Sequence, residues 1–455
     1  MLSAKGVKWM RLRSTHALFL AFVLVMVIGV IINAIIISRK PSVRPPDIEL
    51  LVTGKMRGRF ELCGCPGERL QSLPMRASVI RQLLSNIERR ERLILVESGG
   101  FVGDRESVAV AMRSFKMLGY DIIAVAQDEC RYIDEVSLYA KTLGAKLIAR
   151  DACPAGSSEV CKPSWVIKRQ NFTVAFVTTG AQPEKKAIDK KWEEVEMDIE
   201  AVAKETNTII LINHWQLKEL ERVLRASRAK RLITLVITHD THEPLKENKL
   251  EKRFGVYMLM LSDVLQPMPI VSIWLRQGKA SEVRLTQIAV PSESTPDGEI
   301  KKLVNAYYRE RQKRLREEWS SLVMRVKRKE YMPPRECSRC HEAQYRQWLA
   351  TKHAKAVLTL AEKNRIEPEC LECHSEEFRQ TKLLTHVKAG YGVECVSCHI
   401  ELKDPLKVKE HGQIPSERAR PPRVDPKKVC TTCHNEKHSP KFEEKLSDYM
   451  MKVRH

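Results

Sequence analysis

At 455 residues the chain is too long for one ordinary hydrophobic core and predicts two or three domains. An apolar fraction of 43% fits a mostly folded protein and argues against a disordered one. A formal charge of +21 suggests nucleic acid at first sight. Groups that the C-terminal motifs imply offset much of that excess, so nucleic acid is set aside. An anionic membrane surface, an acidic partner or an anionic substrate suits the remainder better.

Residues 1–16 carry Lys5, Lys8, Arg11 and Arg13, and precede an apolar run from Ala17 to Ile37 broken only by Asn33. A run of that length spans a bilayer core of ~30 Å at ~1.5 Å per residue. A secretory signal has a shorter apolar core and a small-residue cleavage site, and no such site is evident. The segment 17–37 is therefore expected to be an uncleaved transmembrane anchor with residues 1–16 cytoplasmic. Arg39, Lys40 and Arg44 on the far side leave charge a poor guide to orientation.

Residues 47–290 alternate β-rich apolar runs with helical patterns and read as one α/β domain with a mixed sheet or two packed sheets. Strands are expected at 48–52, 93–96, 122–126 and 146–149, with helices at 75–90, 107–118 and 133–143 between them. A hairpin follows at 165–168 and 172–178. Strands at 208–212 and 232–238 flank a helix near 216–228. Strands at 256–261, 270–276 and 283–289 close the domain. Ligands of such folds bind beyond the carboxyl ends of the strands. The residues there are Cys63 and Cys65; Gly99 and Gly100; Gln127, Asp128, Glu129 and Cys130; Cys153; Asn213 and His214; and Thr238 to His242.

That layout resembles the calcineurin-like metallophosphoesterases, especially the periplasmic 5'-nucleotidase branch. Asn213-His214 stands at that family's Asn-His ligand step, and His239 and His242 approximate its Gly-His-x-His with one residue more. Elsewhere the pattern departs. Gly99-Gly100 replaces Gly-Asp, Ala126-Gln127-Asp128-Glu129 replaces Gly-Asn-His-Glu, and Cys63-Gly64-Cys65-Pro66 stands for the opening Asp-x-His. A two-metal phosphatase needs a shared carboxylate to clamp its ions. With that carboxylate missing, phosphatase or nucleotidase activity is not expected, and no residue is assigned a catalytic role.

Thirteen cysteines divide into eight in the C-terminal motifs and Cys63, Cys65, Cys130, Cys153 and Cys161. Cys153 and Cys161, across a Pro-Gly-Ser-Ser loop, are expected to form a disulfide. Cys63, Cys65 and Cys130 leave two readings open. They converge as a thiolate site for a soft metal or for redox exchange, or they are structural in an oxidising compartment. His239 and His242 are read as hydrogen-bonded loop residues.

A turn-rich stretch, 291–298, marks a boundary. In the linker segment 291–334, helical spacing of Ile300, Leu303, Val304, Tyr307, Leu315, Trp319, Leu322 and Val326 predicts one long amphipathic helix over 299–329 that carries the C-terminal domain off the α/β domain. Arg309, Arg311, Lys313, Arg314 and Arg316 are expected on its solvated face. Pro333-Pro334 ends it.

Residues 335–455 hold four Cys-x-x-Cys-His motifs: Cys337, Cys340 and His341; Cys370, Cys373 and His374; Cys395, Cys398 and His399; Cys430, Cys433 and His434. This is the attachment pattern of c-type haem. Two thiols three residues apart lie about one helical turn apart and can bond both vinyl groups of one porphyrin, and the adjoining histidine lies under the iron as proximal ligand. Four haem c groups are expected, and in so short a domain the porphyrins form the core. Their eight propionates are absent from the formal charge. Haem c is attached outside the bacterial cytoplasmic membrane, which places the bulk of the chain in the periplasm. Spare histidines are His353, His386, His411, His438 and His455.

The domain, mainly helical and irregular, resembles the tetrahaem cytochrome c family of nitrification. The first motif runs into Tyr345, Trp348 and His353-Ala354. Gly392-Val393-Glu394 precedes the third motif and His411-Gly412 follows it, with Ile400-Glu401 in place of the usual Gly-Pro. The fourth is followed by His438-Ser439-Pro440-x-Phe442. The resemblance implies distal ligation by His353, His411, His438 and His386, without saying which haem each serves, and the family also includes a haem with an open distal position. The expected function is electron transfer by a membrane-anchored tetrahaem cytochrome with a redox-protein or quinone-linked partner. The alternatives are an oxidoreductase with one open-site haem acting on a small nitrogen or sulfur compound, and a haem-fused enzyme with its chemistry in the α/β domain.

Overall fold

The computed structural model describes residues 44–61, 72–239, 247–262, 267–291, 293–323, 333–382, 392–403, 425–435 and 441–453, with isolated residues 245, 410, 413 and 439. The expected anchor at 17–37 lies outside them, as do Cys63, Cys65, His242, His386, His411, His438 and His455. Among the described residues no helix is long and apolar enough to cross a membrane. Residues 47–455 form one compact unit.

The α/β region opens with β1 (Ile48–Thr53), α1 (Leu73–Ser85), α2 (Ile87–Arg92) and β2 (Leu93–Glu97). The helix expected over 75–90 is thus broken. Asn86 leaves helical geometry and its side chain accepts the Arg89 N–H at 2.8 Å, capping α2. Next come α3 (Arg105–Leu118), β3 (Ile122–Ala124), α4 (Ile133–Leu143), β4 (Leu147–Ile148) and β5 (Cys161–Lys162). Gly119 and Gly144 end α3 and α4 in the left-handed conformation that favours glycine. The hairpin is β6 (Ser164–Lys168) with β7 (Thr173–Thr178). A helix absent from the sequence reading, α5 (Ile188–Ala203), precedes β8 (Ile209–Asn213), α6 (Leu217–Ala226) and β9 (Ile233–Thr238). β10 (Lys249–Arg253), β11 (Val256–Met260), β12 (Met268–Arg276) and β13 (Lys279–Ile288) complete the set.

The strands make two mixed sheets, as one of the two expected forms. One is ordered β13-β12-β1-β2-β3-β4-β5 and the other β10-β11-β9-β8-β7-β6. Successive residues of a strand face opposite ways. Ile48, Leu50 and Val52 therefore meet Leu235 and Ile237 of the other sheet in a core between the sheets, while Leu51 turns outward to α1 and α3 and Val236 turns out to α5 and α6. Four layers result, helix–sheet–sheet–helix. Strands covered on both faces read as unbroken apolar runs, which is why the sequence exposes them.

Cys153 and Cys161 are joined by the expected disulfide. Closing so short a loop stabilises the fold by ~2–3 kcal/mol through the unfolded chain. The double Ala variant should lose about that much in urea unfolding, and the loss should equal that of the reduced wild type. A larger loss in the variant would assign the pair a packing role.

α7 (Gly298–Val323) corrects the expected spacer. Ile300, Val304, Tyr307 and Tyr308 are buried in the outer core of the first sheet. Arg311 pairs with Asp104 and Arg314 with Glu106, so this side of the helix is docked on the α/β domain, while Arg309 and Lys313 are exposed. The Arg316 side chain lies outside the described residues. The C-terminal region then packs against the same helix. Buried Gln312 donates to the Ile366 carbonyl at 3.0 Å and accepts the Ile366 N–H at 2.7 Å. Arg365 lies over the Tyr308 ring at 4.1 Å, pairs with Glu367 at 3.0 Å and donates to the Glu61 carbonyl.

That region consists of α8 (Pro334–Cys337), α9 (Glu342–Leu349), α10 (Ala356–Ala361), α11 (Pro368–His374), α12 (Glu376–Thr381), α13 (Cys395–Cys398), α14 (Pro426–Cys430) and α15 (Leu446–Val453). Its apolar cluster among the described residues is small: Val357, Leu360, Leu371 and Phe378, with Ile366 and Cys370 against it.

Candidate functional site

Each Cys-x-x-Cys-His motif forms a helical turn. The histidine N–H donates to the carbonyl of the first cysteine in the first, third and fourth motifs, at 2.9, 2.9 and 2.8 Å, and α11 contains the second motif whole. This winding puts both thiols on one side with the imidazole beyond them, the geometry that thioether attachment requires.

The motifs converge. A cavity of about 1200 Å³ is lined by Cys370, Cys373 and His374, by Cys430, Cys433 and His434, and by Cys398 and His353. The first motif lies off this cavity, but its Cys337 thiol reaches Cys395 of the third. That hydrogen bond holds Cys337 down at about 7 and pushes Cys395 up. Cys433 is likewise held at about 6 by Cys373, which is pushed up. The thiols of motifs one and three, and of two and four, are therefore near neighbours, a pairing that spacing along the chain does not reveal.

The imidazoles fit ligation. His374 Nδ1 lies 3.0 Å from the Ala356 carbonyl oxygen and His434 Nδ1 lies 2.9 Å from Ser439 Oγ, which leaves Nε2 of each for a metal. A second partner on the far nitrogen orients a ligating histidine. Phe442 stacks on His434 at 4.5 Å, and the rings of His353 and His434 are 6.1 Å apart. Burial lowers the pKa of His353 and His434, favouring the neutral form that binds iron. Of the distal candidates only His353 is described, and it stands on the cavity.

The other wall of the cavity comes from the α/β domain. Arg57, Gly58 and Arg59 follow β1, Val102 and Gly103 follow β2, and Asp128, Arg131 and Tyr132 follow β3. These loops are locked together. Lys55, Arg57 and Gly58 donate their N–H groups to the carbonyls of Gly99, Gly100 and Phe101 at 3.0, 2.8 and 2.9 Å. Beneath them sits Glu129, fully buried, whose carboxylate accepts four backbone N–H groups: Gly100 at 3.1 Å, Phe101 at 2.8 Å, Val102 at 2.9 Å and Ala126 at 2.9 Å. The sequence placed Glu129 at a strand end without revealing this role, because its partners lie up to 29 residues away.

Beside this loop, Ser98 gathers the histidines. Its Oγ donates to the Thr53 carbonyl at 2.7 Å and lies 2.7 Å from His239 Nε2, and its carbonyl oxygen is 2.8 Å from His214 Nε2. Burial pushes His214 down to about 4 and His239 well below its ordinary value. Gly99, at φ +99°, and Gly54 let the loops close here. A Cβ on Gly54 would meet Ser98 Oγ at 2.5 Å and His239 at 2.8 Å. Both histidines are hydrogen-bonded, as expected for His239. Among the described residues no group of three or more His, Cys, Asp or Glu side chains could hold a metal ion. Cys130 is half-buried with its thiol 3.3 Å from the Ala126 carbonyl oxygen.

Deeper still, Glu97 is fully buried, accepts from Thr53 Oγ1 at 2.5 Å, and is pushed up to about 8 chiefly by burial. The folded state then holds a proton that the unfolded state releases near its ordinary pKa of ~4.3. Stability from this group is full below that range and is lost as pH rises to about 8. Glu97→Gln should therefore gain on the wild type by up to ~1.4 kcal/mol per pH unit across that window and level off above it. Parallel unfolding curves at pH 6.5 and 8 with no change in the difference would refute this.

The family model described as "Cytochrome c554 and c-prime" matches residues 336–400. The C-terminal region thus carries a cytochrome c554 domain, which implies covalently bound c-type haem, electron transfer and an extracytoplasmic setting. No curated protein matches the chain. Among solved structures it is similar to a sulfate thiohydrolase SoxB from Thermus thermophilus, at 12% identity over 59% of this chain and 61% of that one, with a TM-score of 0.47. It is also similar to a 5'-nucleotidase precursor from Thermus thermophilus, at 13% identity over 57% and 58% with a TM-score of 0.46. A third is the calcineurin-like phosphoesterase YfkN from Bacillus subtilis, at 11% over 59% and 98% with a TM-score of 0.44. The chain spans about three fifths of the length of the first two.

Proposed function

We propose that this protein is a membrane-anchored, periplasmic tetrahaem c-type cytochrome that relays electrons with redox-protein or quinone-linked partners. The observation that carries the reading is the convergence of two complete attachment motifs, one further attachment cysteine and His353 on a single cavity. Cys337, Cys340, Cys370, Cys373, Cys395, Cys398, Cys430 and Cys433 attach the haems, and His341, His374, His399 and His434 are proximal ligands. His353, His386, His411 and His438 are the distal set. Neighbouring haems pass electrons, and iron with two histidine ligands has no free position for substrate, which favours transfer over catalysis. The protein supplies ligation, spacing and burial. The segment 17–37 anchors it, and nucleic acid is not a partner.

EPR and optical spectra of the haem-loaded protein, with and without cyanide or nitric oxide, test the assignment. Four low-spin ferric haems inert to added ligand are expected. One high-spin haem that binds ligand would replace this reading with an oxidoreductase acting on a small nitrogen or sulfur compound.

A further inference from the structure

The cavity has an uneven charge pattern. Arg311, Arg365 and Arg379 line it, and each pairs with an acid: Asp104, Glu367 and Glu376 respectively. Arg57, Arg59 and Arg131 line it from the α/β side without an ion pair among the described residues, and Asp128 is the carboxylate beside them. With Asp128 beside them and Glu369 on the C-terminal wall, the three guanidinium groups still outnumber the unpaired carboxylates of a cavity rimmed by haem-attachment residues. Two propionates on each haem are the anions that attachment at Cys370/Cys373 and Cys430/Cys433 brings into that space, and arginine forks match carboxylates.

The presentation is built rather than incidental. Arg57 sits at φ +48°, a backbone conformation uncommon outside glycine. Its N–H is fixed to Gly100, and a Cβ on Gly103 would strike the Arg57 carbonyl oxygen at 2.3 Å. Glu129 clamps the Gly100–Val102 loop beneath, and Arg131 follows Glu129 in the same short turn, 129–132. One buried carboxylate thus underpins the positions of Arg57 and Arg131.

We infer that the α/β domain is the counter-charge wall of the haem compartment, with Arg57, Arg59 and Arg131 binding the carboxylates of the haems on the second and fourth motifs. The inference rests on the haem assignment proposed above. The domain's role is then electrostatic: its cations raise the reduction potentials of two haems by favouring the more negatively charged reduced state.

The test uses the full-length, haem-loaded protein. Haem per chain is counted first as the pyridine haemochrome, and midpoints are then read by spectroelectrochemistry at low ionic strength. The variants are R57Q/R59Q, R131Q and the corresponding Lys replacements, with R222Q on the far helix as a charge control. The expected result is full haem content and a fall of two midpoints, with the oxidised-to-reduced ratio at fixed potential rising up to tenfold, ~59 mV for a one-electron couple. Lys should restore the midpoints and R222Q should leave them unmoved. Full haem with unmoved midpoints overturns the inference alone, whereas absence of haem from the wild type overturns the functional proposal and the inference with it. Haem loss in both the Gln and Lys variants overturns it by showing a packing role. A shift that appears only on adding inorganic phosphate overturns it in favour of a small-anion site.

Discussion

Glu129→Ala should destabilise the α/β domain by at least ~4 kcal/mol, because four backbone donors lose their acceptor and an unsatisfied buried donor costs ~1–3 kcal/mol. The carboxylate lies under the loops and is fully buried, so bulk water does not reach these donors in the folded protein. Glu129→Gln keeps one acceptor oxygen and should lie between the two, since each original oxygen serves two of the four donors. Amide exchange at Gly100, Phe101, Val102 and Ala126 is the local readout and denaturant unfolding the global one. Both should rank wild type, Gln, Ala. An Ala variant within ~1 kcal/mol of wild type would mean that the loops are held by their cross-bonds alone. The Ala variant should also disturb the two haem midpoints, since Arg57 and Arg131 lose their footing together.

Glu129 shows where the sequence stops being informative. Its local neighbours suggest a strand end and nothing more; its function exists only once the loop after β2 folds over it. Attachment motifs are the opposite case, because both thiols and the proximal imidazole fall within five residues and the chemistry fixes their spacing. Strand positions were legible because two covered faces leave an unbroken apolar run. α5 is masked in the sequence although Ile188, Trp192, Val195, Ile199 and Val202 are buried at helical spacing, since acidic and lysine residues dominate the stretch between them. β10 reads Lys-Leu-Glu-Lys-Arg, the charged composition of an edge strand, and offers no apolar run to detect. The docking of the C-terminal region was also hidden. It depends on Gln312 meeting Ile366, 54 residues on, and a helix read alone looks like a spacer.

Replacing Cys370 and Cys373 by Ala should remove one haem from the chain and unfold the described stretches 368–382 and 392–398. The four apolar side chains of the local cluster contribute ~1.5–3 kcal/mol each when buried. Ordering each backbone residue costs ~1–2 kcal/mol, so that cluster supports a handful of residues and the porphyrin must support the others. The boundary should fall after Glu367, because Gln312 pins Ile366, and Arg365 is seated on Tyr308, Glu367 and the Glu61 carbonyl. These contacts belong to the α/β side and survive the loss of haem. Limited proteolysis should show cleavage within 368–382 and 392–398 rising roughly 100-fold, as expected when local opening becomes ~3 kcal/mol easier and cleavage tracks the open population. Exchange protection in β1, β2, β8 and β9 should be unchanged. A variant that keeps its full haem complement would refute attachment at these cysteines. One that loses the haem yet keeps the segment protected would show that the polypeptide, not the porphyrin, is the core of this domain.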